Sequence, residues 1–267
     1  MNKQLILGGS GAIGGHLKKY LQDRGSTVED IDIVNGIQFD LRECLLGDLK
    51  RYSKIYFLAW DVGGAKYITD KSSHYDQLKS NTRIIVNTFP QIIDSEVPFL
   101  FVSSQLAGVD ESPYSITKLL GEKFSLQSSI SRVVRQWNVY GVSEKYGLKS
   151  HVISDMITSA KSFDEIRLLT DGSELRQFVH INDVCEAYER VFELPSDIYQ
   201  VSSGEWISIF EVASILGKIL KVEVKRGLEK GNSPKVNIGK PISNWTPKVT
   251  LHDGLAALVA NYEQSKK

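Results

Sequence analysis

The first half of the chain alternates short, continuous apolar runs with longer stretches in which apolar residues recur every three to four positions. Continuous runs of this length indicate strands that are buried on both faces, and the periodic stretches indicate amphipathic helices. Strands and helices in alternation are typical of βαβ units and predict a parallel sheet covered by helices. The predicted strands are residues 4–7, 27–33, 55–59, 99–103 and 132–137.

The helices between these strands have recognisable ends. Apolar residues recur at helical spacing from Ala12 onward, and Gly25 is a typical C-terminal stop. A long helix is predicted over residues 73–94, with an interruption near Pro90, because proline lacks a backbone N–H and clashes with the preceding turn. Pro113 opens another helix at a position where proline is tolerated.

Beyond residue 140 the pattern is less regular and predicts shorter elements. Residues 225–248 are rich in Gly, Pro, Lys and Asn and are expected to be mostly loop. Short strands are expected at 166–169, 177–180 and 199–202, and helices at 182–192, 208–220 and 251–262.

These elements predict an α/β fold, a Rossmann-type doubly wound parallel sheet with a smaller C-terminal α/β substrate lobe. Residues 1–140 are expected to form an NAD(P)-binding domain. A strand and helix near 176–195 and a strand near 198–203 return to it, and 141–267 form mainly the substrate-binding lobe.

Composition excludes several classes of function. The 267 residues include 32 basic and 32 acidic side chains, and this balance argues against a general nucleic-acid or membrane-surface binder. Two distant cysteines, Cys44 and Cys185, argue against a disulfide-stabilised secreted fold. The N-terminal apolar run breaks into glycines after three residues, unlike a signal peptide, and no run approaches a membrane span. A cytoplasmic protein is expected.

A glycine-rich turn follows the first predicted strand. Gly8, Gly11 and Gly14 allow a tight turn and the close approach of a pyrophosphate to the backbone. The helix that starts at Ala12 and Ile13 offers unpaired N–H groups and the positive end of its dipole to that charge. A glycine-rich hairpin is the alternative, but the position between a strand and a helix favours dinucleotide binding.

The second strand ends near a carboxylate that could contact the adenosine ribose. Asp32 has close to the expected spacing from the turn, with Asp30 as a rival. A carboxylate binds ribose hydroxyls and repels a 2′-phosphate, and no arginine follows immediately. The sequence therefore favours NAD over NADP, with NADP possible.

Tyr114 and Lys118 are four residues apart on a predicted helix and so share one face. A neighbouring ammonium lowers the pKa of a phenol and makes it a usable general acid or base. Ser103 ends the preceding strand, where its hydroxyl could bind the reacting oxygen. A solvated helix face is the alternative, but the position downstream of the glycine turn favours catalysis.

In these motifs the chain resembles the extended short-chain dehydrogenases/reductases, the NAD-dependent epimerase/dehydratase family. By that resemblance Tyr114 is the acid/base, Lys118 holds the nicotinamide ribose, and Ser103 binds the reacting oxygen. The motifs that carry the resemblance are GGSGAIGGHL, IYFLAW, FVSS, YSITKLLGEKF, VVRQWNVYG, LRQFVHINDVCEAY, VSSGEWISIFEVA and NWTPKVTLHDGL.

The resemblance also implies binding residues away from the tyrosine. Further cofactor contacts are implied at Asp40, Leu41, Leu58 and Ala59. Contacts to the substrate diphosphate are implied at Asn138 and Arg176, for which a turn cap and a surface ion pair are the alternatives.

Two further segments, residues 61–64 and 150–153, are similar to GDP-fucose synthases, where the matching histidine is an acid/base that works with a cysteine. His151 matches that histidine, but Gln105 stands in the place of the cysteine, so His151 is a candidate for catalysis, sugar binding or helix capping. Ser104 and Gln105 also replace the Asp–Glu pair of the 4,6-dehydratases and are expected to face the substrate. The segment after Ser103 is short, and Ala107 replaces the family's common tyrosine.

The resulting prediction is an NAD(P)-dependent enzyme that transfers hydride at a carbon of a nucleotide-activated sugar, at C4, as a 4-epimerase or a 4-ketoreductase. Two alternatives stand beside it: a non-catalytic dinucleotide-binding sensor or scaffold, and a reductase of a small non-nucleotide ketone. A homodimer through the helices at 73–94 and 113–128 is expected, with no metal, nucleic acid or membrane partner.

Overall fold

The computed structural model describes residues 3–142 and 147–264. In chain order the described strands are β1 (Lys3–Leu7), β2 (Thr27–Ile31), β3 (Lys54–Phe57), β4 (Phe99–Ser104), β5 (Ser131–Gln136), β6 (Asn138–Tyr140), β7 (Glu165–Arg167), β8 (Leu175–Arg176), β9 (Phe178–His180), β10 (Ile198–Val201), β11 (Ile207–Ser208) and β12 (Glu223–Lys225).

The helices of the same residues cover both faces of the sheet and most of the second lobe. They are α1 (Ala12–Asp23), α2 (Ala65–Thr69), α3 (His74–Ser95), α4 (Pro113–Ser125), α5 (Val152–Phe163), α6 (Ile181–Val191), α7 (Ile209–Leu220) and α8 (Leu251–Gln264). Within the described ranges, none of these helices combines the length and apolar character needed to cross a bilayer.

Six parallel strands form the central sheet in the order β10-β5-β4-β3-β1-β2. The predicted α/β class with a doubly wound parallel sheet is confirmed. From β1 the chain continues to β2 on one side and then to β3 on the other. Ligands of open α/β sheets bind outside the carboxyl ends of the strands at such a reversal.

The sheet has an apolar core on each face because consecutive side chains of a strand point in opposite directions. In β1, Leu5 and Leu7 pack with Phe89 of α3 in one core. Ile6 packs with Leu17 of α1 in the other. The same alternation places Ser103 and Ser104 of β4, which both border the cavity described below, on opposite faces of the strand.

The predicted interruption of the long helix is wrong. Helix α3 continues through Pro90 to Ser95. Pro90 lies on the exposed side, whereas Ile85, Phe89 and Ile92 are fully buried. Burial of this apolar stripe outweighs the one backbone hydrogen bond that proline removes.

The second lobe has its own core, which α5, α7 and α8 build from Ile157, Val212 and Leu258 among others. Its strands are two or three residues long and pair only with one another. Residues 226–248 are largely irregular, as predicted. Lys240 nevertheless pairs with Tyr199 of β10, which brings this loop to the edge of the central sheet.

Candidate active site

A cavity of about 950 Å³ opens at the carboxyl ends of β1, β3 and β4. Its wall contains every residue that the sequence analysis proposes for catalysis, cofactor binding or substrate binding. Its volume lies at the upper end of the roughly 300–1,000 Å³ typical of ligand pockets. The fold thus brings residues from distant segments into one place.

The glycine turn at one end of the cavity has the geometry of a phosphate cradle. Gly8 has φ +91°, and a Cβ atom there would lie 2.6 Å from the backbone nitrogen of Ala59. A Cβ atom on Gly14 would lie 2.1 Å from the carbonyl oxygen of Gly8. A Cβ atom on Gly11 would meet nothing closer than 3.5 Å, so the protein itself does not demand this glycine.

Gly11 is also the N-cap of α1 and provides no side-chain cap. The first amides of the helix therefore point toward the space that a side chain at this position would fill. This arrangement fits a pyrophosphate bound at the N-terminus of α1.

Asp32 lies directly after β2 and borders the cavity. Its carboxylate accepts hydrogen bonds from the backbone N–H groups of Ser10 (3.0 Å) and Val34 (3.1 Å). Asp30, the rival carboxylate, is paired instead with Lys18 at 2.5 Å. Of the two carboxylates, Asp32 is therefore the one placed beside the glycine turn.

An arginine that the sequence analysis did not single out lies farther along the same wall. Arg42 forms a two-point ion pair with Asp40, with Nη2 2.6 Å from Oδ2 and Nε 2.8 Å from Oδ1. The hydrogen bonds from Arg42 hold the pKa of the Asp40 carboxyl below its usual value. The charge of Arg42 is thus balanced within the wall.

The two serines at the end of β4 both border the cavity but have different partners. Ser103 Oγ donates to Glu122 Oε1 at 2.7 Å. The side-chain hydrogen bond of Tyr114 is with Ser104, the residue after Ser103. Ser103 is on the face of β4 that carries Phe101, toward α3 and α4, whereas Ser104 shares the opposite face with Val102.

Lys118 is buried one helical turn beyond Tyr114, and its Nζ donates to the carbonyl oxygen of Val102 at 2.7 Å. Burial lowers the pKa of the Lys118 ammonium to about 7, and the nearby Glu122 carboxylate opposes this. Burial raises the pKa of the Tyr114 phenol, and the hydrogen bond with Ser104 offsets part of that rise. The expected net lowering of the phenol pKa is therefore wrong for this structure, because desolvation is the larger effect.

An ion pair beneath these groups fixes the position of α4 against the sheet. Arg135 of β5 donates to Glu122 through Nε (2.9 Å) and Nη2 (2.7 Å). The two side chains are 9% and 1% exposed, so the pair is buried. Together with Ser103 it satisfies a carboxylate that lies one turn beyond Lys118 on α4.

The residues proposed for substrate binding lie at the other end of the cavity. Asn138 Nδ2 donates to the carbonyl oxygen of Gln177 at 2.9 Å, and Arg176 Nη1 donates to the carbonyl oxygen of Leu175 at 2.8 Å. Both side chains border the cavity while keeping these backbone contacts. Gln105 is buried, and its amide oxygen accepts from Ser104 Oγ at 3.1 Å.

His151 borders the cavity at the N-cap of α5. Lys149, two residues earlier in the chain, reaches across to Asp61, with Nζ 2.6 Å from Oδ1, and lies over the ring of Tyr67. This contact joins the loop after β3 to the second lobe. Local patterns give no signal for it, because Asp61 and Lys149 meet only in the folded chain.

Comparison with known proteins relates this site to a family. Residues 73–202, slightly less than half of the chain, match the profile of the NAD dependent epimerase/dehydratase family. The chain is similar to this family over that segment. It is 25% identical, over an alignment of 304 positions that covers 94% of both chains, to UDP-N-acetyl-alpha-D-glucosaminuronate decarboxylase of Bacillus cytotoxicus. It is 26% identical over 165 residues to GDP-L-fucose synthase 1 of Arabidopsis thaliana, covering 54% of this chain and 50% of that one.

The fold is also that of solved enzymes. UDP-glucose 4-epimerase from Thermotoga maritima, crystallised with UDP-glucose, superposes with a TM-score of 0.80 at 21% identity and covers 99% of this chain and 100% of its own. The resemblance indicated by the motifs is confirmed, and NAD, the cofactor expected from the glycine turn, is that of the family. The similar proteins are named as epimerases, decarboxylases and fucose synthases.

Proposed function

We propose that this protein moves a hydride between NAD and C4 of a nucleotide-activated sugar, as a 4-epimerase or a 4-ketoreductase. The observation that carries the proposal is the half-buried Tyr114 in the cavity wall, hydrogen-bonded to Ser104 and one turn from Lys118. A positioned phenolate can take the proton of a sugar hydroxyl, and the phenol so formed can return it to a ketone.

The residues that would hold the dinucleotide follow the cavity wall from the glycine turn to α4. The pyrophosphate would lie at Gly11 and the N-terminus of α1, the adenosine ribose at Asp32, and the nicotinamide ribose at Lys118. Adenine would lie near Asp40 and Leu41, and Leu58 and Ala59 would flank the cofactor. When bound, NAD supplies hydride acceptance and return.

The chain itself handles the proton and the orientation of the sugar. In oxidation, Tyr114 Oη receives the proton of the C4 hydroxyl while Ser104 Oγ hydrogen-bonds the same oxygen. In reduction, Tyr114 donates that proton to the C4 ketone. Ser103 contributes by binding Glu122 rather than the sugar.

The second half of the wall favours a nucleotide substrate. Arg176 and Asn138 border the cavity, and a guanidinium suits a diphosphate because it can donate two parallel hydrogen bonds. This placement favours a nucleotide sugar over a small ketone. The assembled Tyr114, Ser104 and Lys118 favour catalysis over a sensor or scaffold.

The test uses the full chain as purified. Native mass spectrometry is expected to show copurifying NAD⁺ if the protein is an epimerase, and an exchangeable site if it is a reductase. A panel of UDP-, GDP-, dTDP- and ADP-sugars, including a uronate and 4-keto sugars with NADH or NADPH, is then incubated in D₂O. Hydride transfer at C4 leaves no solvent deuterium at that carbon, and this is the expected result. Deuterium at C3 or C5, or release of CO₂ from the uronate, would instead indicate a different reaction and would overturn the proposal.

The matched pair of variants is Tyr114→Phe and Tyr56→Phe. Loss of the Tyr114 hydroxyl is expected to lower kcat by about 10²- to 10⁴-fold, the usual contribution of general acid–base catalysis, while cofactor still binds. Tyr56 is buried in the opposite core and its hydroxyl has no partner among the described residues, so Tyr56→Phe should change little. Unchanged turnover in Tyr114→Phe would overturn the mechanism.

We also infer that two copies associate through α3 and α4. The outward side of α3 exposes Tyr75 and Val86, and that of α4 exposes Ile116. An apolar stripe on two adjacent helices is suited to a self-complementary helical interface.

A further inference from the structure

The ammonium group of Lys118 is enclosed by aromatic rings. Its Nζ lies 4.3 Å from the ring centroid of Trp60, 5.2 Å from that of Phe101 and 5.9 Å from that of Tyr114. The lysine is only 4% exposed, and its hydrogen bond to the carbonyl oxygen of Val102 is a neutral contact.

A buried ammonium in these surroundings needs a source of stabilisation. The charged and titratable groups that face it are the carboxylate of Glu122 and the phenol of Tyr114, both on α4. Glu122 already accepts hydrogen bonds from Arg135 of β5 and from Ser103. Within the described ranges, Lys118 forms no ion pair, so the π faces above it are the remaining favourable electrostatic partners.

Trp60 is held by packing rather than by its polar atom. Its ring contacts Phe101 at 5.4 Å and Phe57 at 6.3 Å between centroids. Its indole Nε1 is buried without a hydrogen-bond partner among the described residues. Trp60 therefore interacts with its surroundings through the face of its ring, and the ammonium of Lys118 lies over that face.

We propose that Trp60 is a positioning residue of the active site, whose indole face, with Phe101, keeps the Lys118 ammonium charged and fixed at the end of β4 beside Tyr114. The inference deepens the proposed function and rests on it for its effect on turnover. The interaction between Trp60 and Lys118 can be measured without a substrate. The proposal for Trp60 and the proposed function can therefore be refuted independently of each other.

The test is a ¹³C NMR titration of full-length protein labelled at lysine Cε, in which the Lys118 signal is assigned by its absence in Lys118→Met. We expect this signal to be shifted upfield by the rings. Replacing tryptophan with 5,6,7-trifluorotryptophan withdraws π density while preserving shape, and should lower the Lys118 pKa by up to about one unit. Trp60→Leu should give a similar fall and remove most of the ring shift.

The control is the same fluorination in a Trp60→Phe background, where the other three tryptophans are substituted but position 60 is not. The Lys118 pKa should then be insensitive to fluorine. An unchanged pKa in the fluorinated wild-type chain, or an equal change in the Trp60→Phe chain, overturns the proposal. Once a substrate is known, Trp60→Leu should shift the pH profile of kcat with little change in KM, and Trp60→Phe should restore part of it.

Discussion

Replacement of Arg135 by methionine tests whether the ion pair beneath Lys118 is a structural requirement. Methionine preserves much of the side-chain volume and removes the guanidinium. Glu122 would then keep only the hydrogen bond from Ser103, in a site where its side chain is 1% exposed. The carbonyl oxygen of Ile238, which accepts from Arg135 Nη1 at 3.2 Å, would also lose its donor.

The cost follows from leaving a buried carboxylate without its countercharge. Breaking a buried pair in this way typically lowers the free energy of unfolding by about 3–5 kcal/mol. With a urea m-value of about 3 kcal/mol/M, the unfolding midpoint should fall by about 1–1.7 M. The double variant Glu122→Leu/Arg135→Met removes both charges and should recover most of that loss.

Urea unfolding followed by circular dichroism measures the midpoint for the wild type, both variants and a surface control. Arg83→Met removes the guanidinium from the exposed pair with Glu43 and should cost less than about 1 kcal/mol. Equal shifts for Arg135→Met and Arg83→Met would refute the argument from burial. A double variant less stable than Arg135→Met alone would refute the argument from the unpaired carboxylate.

Three further predictions follow from the same structure. The folded-state pKa of Lys118 is about 7, below its usual 10.5, so the unfolded chain binds more protons than the folded chain between these pH values. The free energy of unfolding should therefore rise by about 2 kcal/mol from pH 7 to pH 9. Urea titrations of the wild type and of Lys118→Met, which lacks the ammonium, measure this difference. Gly14→Ala should abolish NAD binding in calorimetry, because the added Cβ would meet the carbonyl oxygen of Gly8. Gly15→Ala, whose Cβ would have 3.6 Å of clearance, should bind NAD normally. Equal NAD binding by the two variants would contradict the steric argument. Val86→Asp should convert a dimer to a monomer in light scattering, and an unchanged mass would exclude α3 from the interface.

The sheet and its nucleotide end could be predicted because their signals are local. The apolar run of β1, the glycine turn and the start of α1 lie next to one another in the sequence. Each of these signals has one dominant physical cause. Pro90 shows where a local rule fails, since the buried stripe of α3 extends beyond the proline and keeps the helix intact. The two-residue strands β8 and β11 carry no periodicity from which they could be recognised.

The catalytic end was only partly predictable because adjacent serines differ by the face of one strand. Ser103 and Ser104 are chemically identical, and the family pattern pointed to the first. Phe99 and Phe101 mark the face that packs under α3 and α4, so the parity of β4 alone places Ser103 on that face and Ser104 on the opposite one, although both border the cavity. Contacts such as Lys118 with Trp60 join distant segments and have no local signal.

The choice between epimerase and reductase depends on whether the dinucleotide stays bound between turnovers, since both reactions use the same phenol. The contact between Asp61 and Lys149 lies in the cavity wall on the second-lobe side, but Lys149 is more than half exposed, and such a pair contributes about 1 kcal/mol or less. This contact is too weak to retain a cofactor by itself. We expect retention of the dinucleotide to come from its long contact with the wall from Gly8 to Lys118. An Asp61→Asn variant should therefore speed cofactor release only slightly. Gly14→Ala, in contrast, should remove bound cofactor entirely.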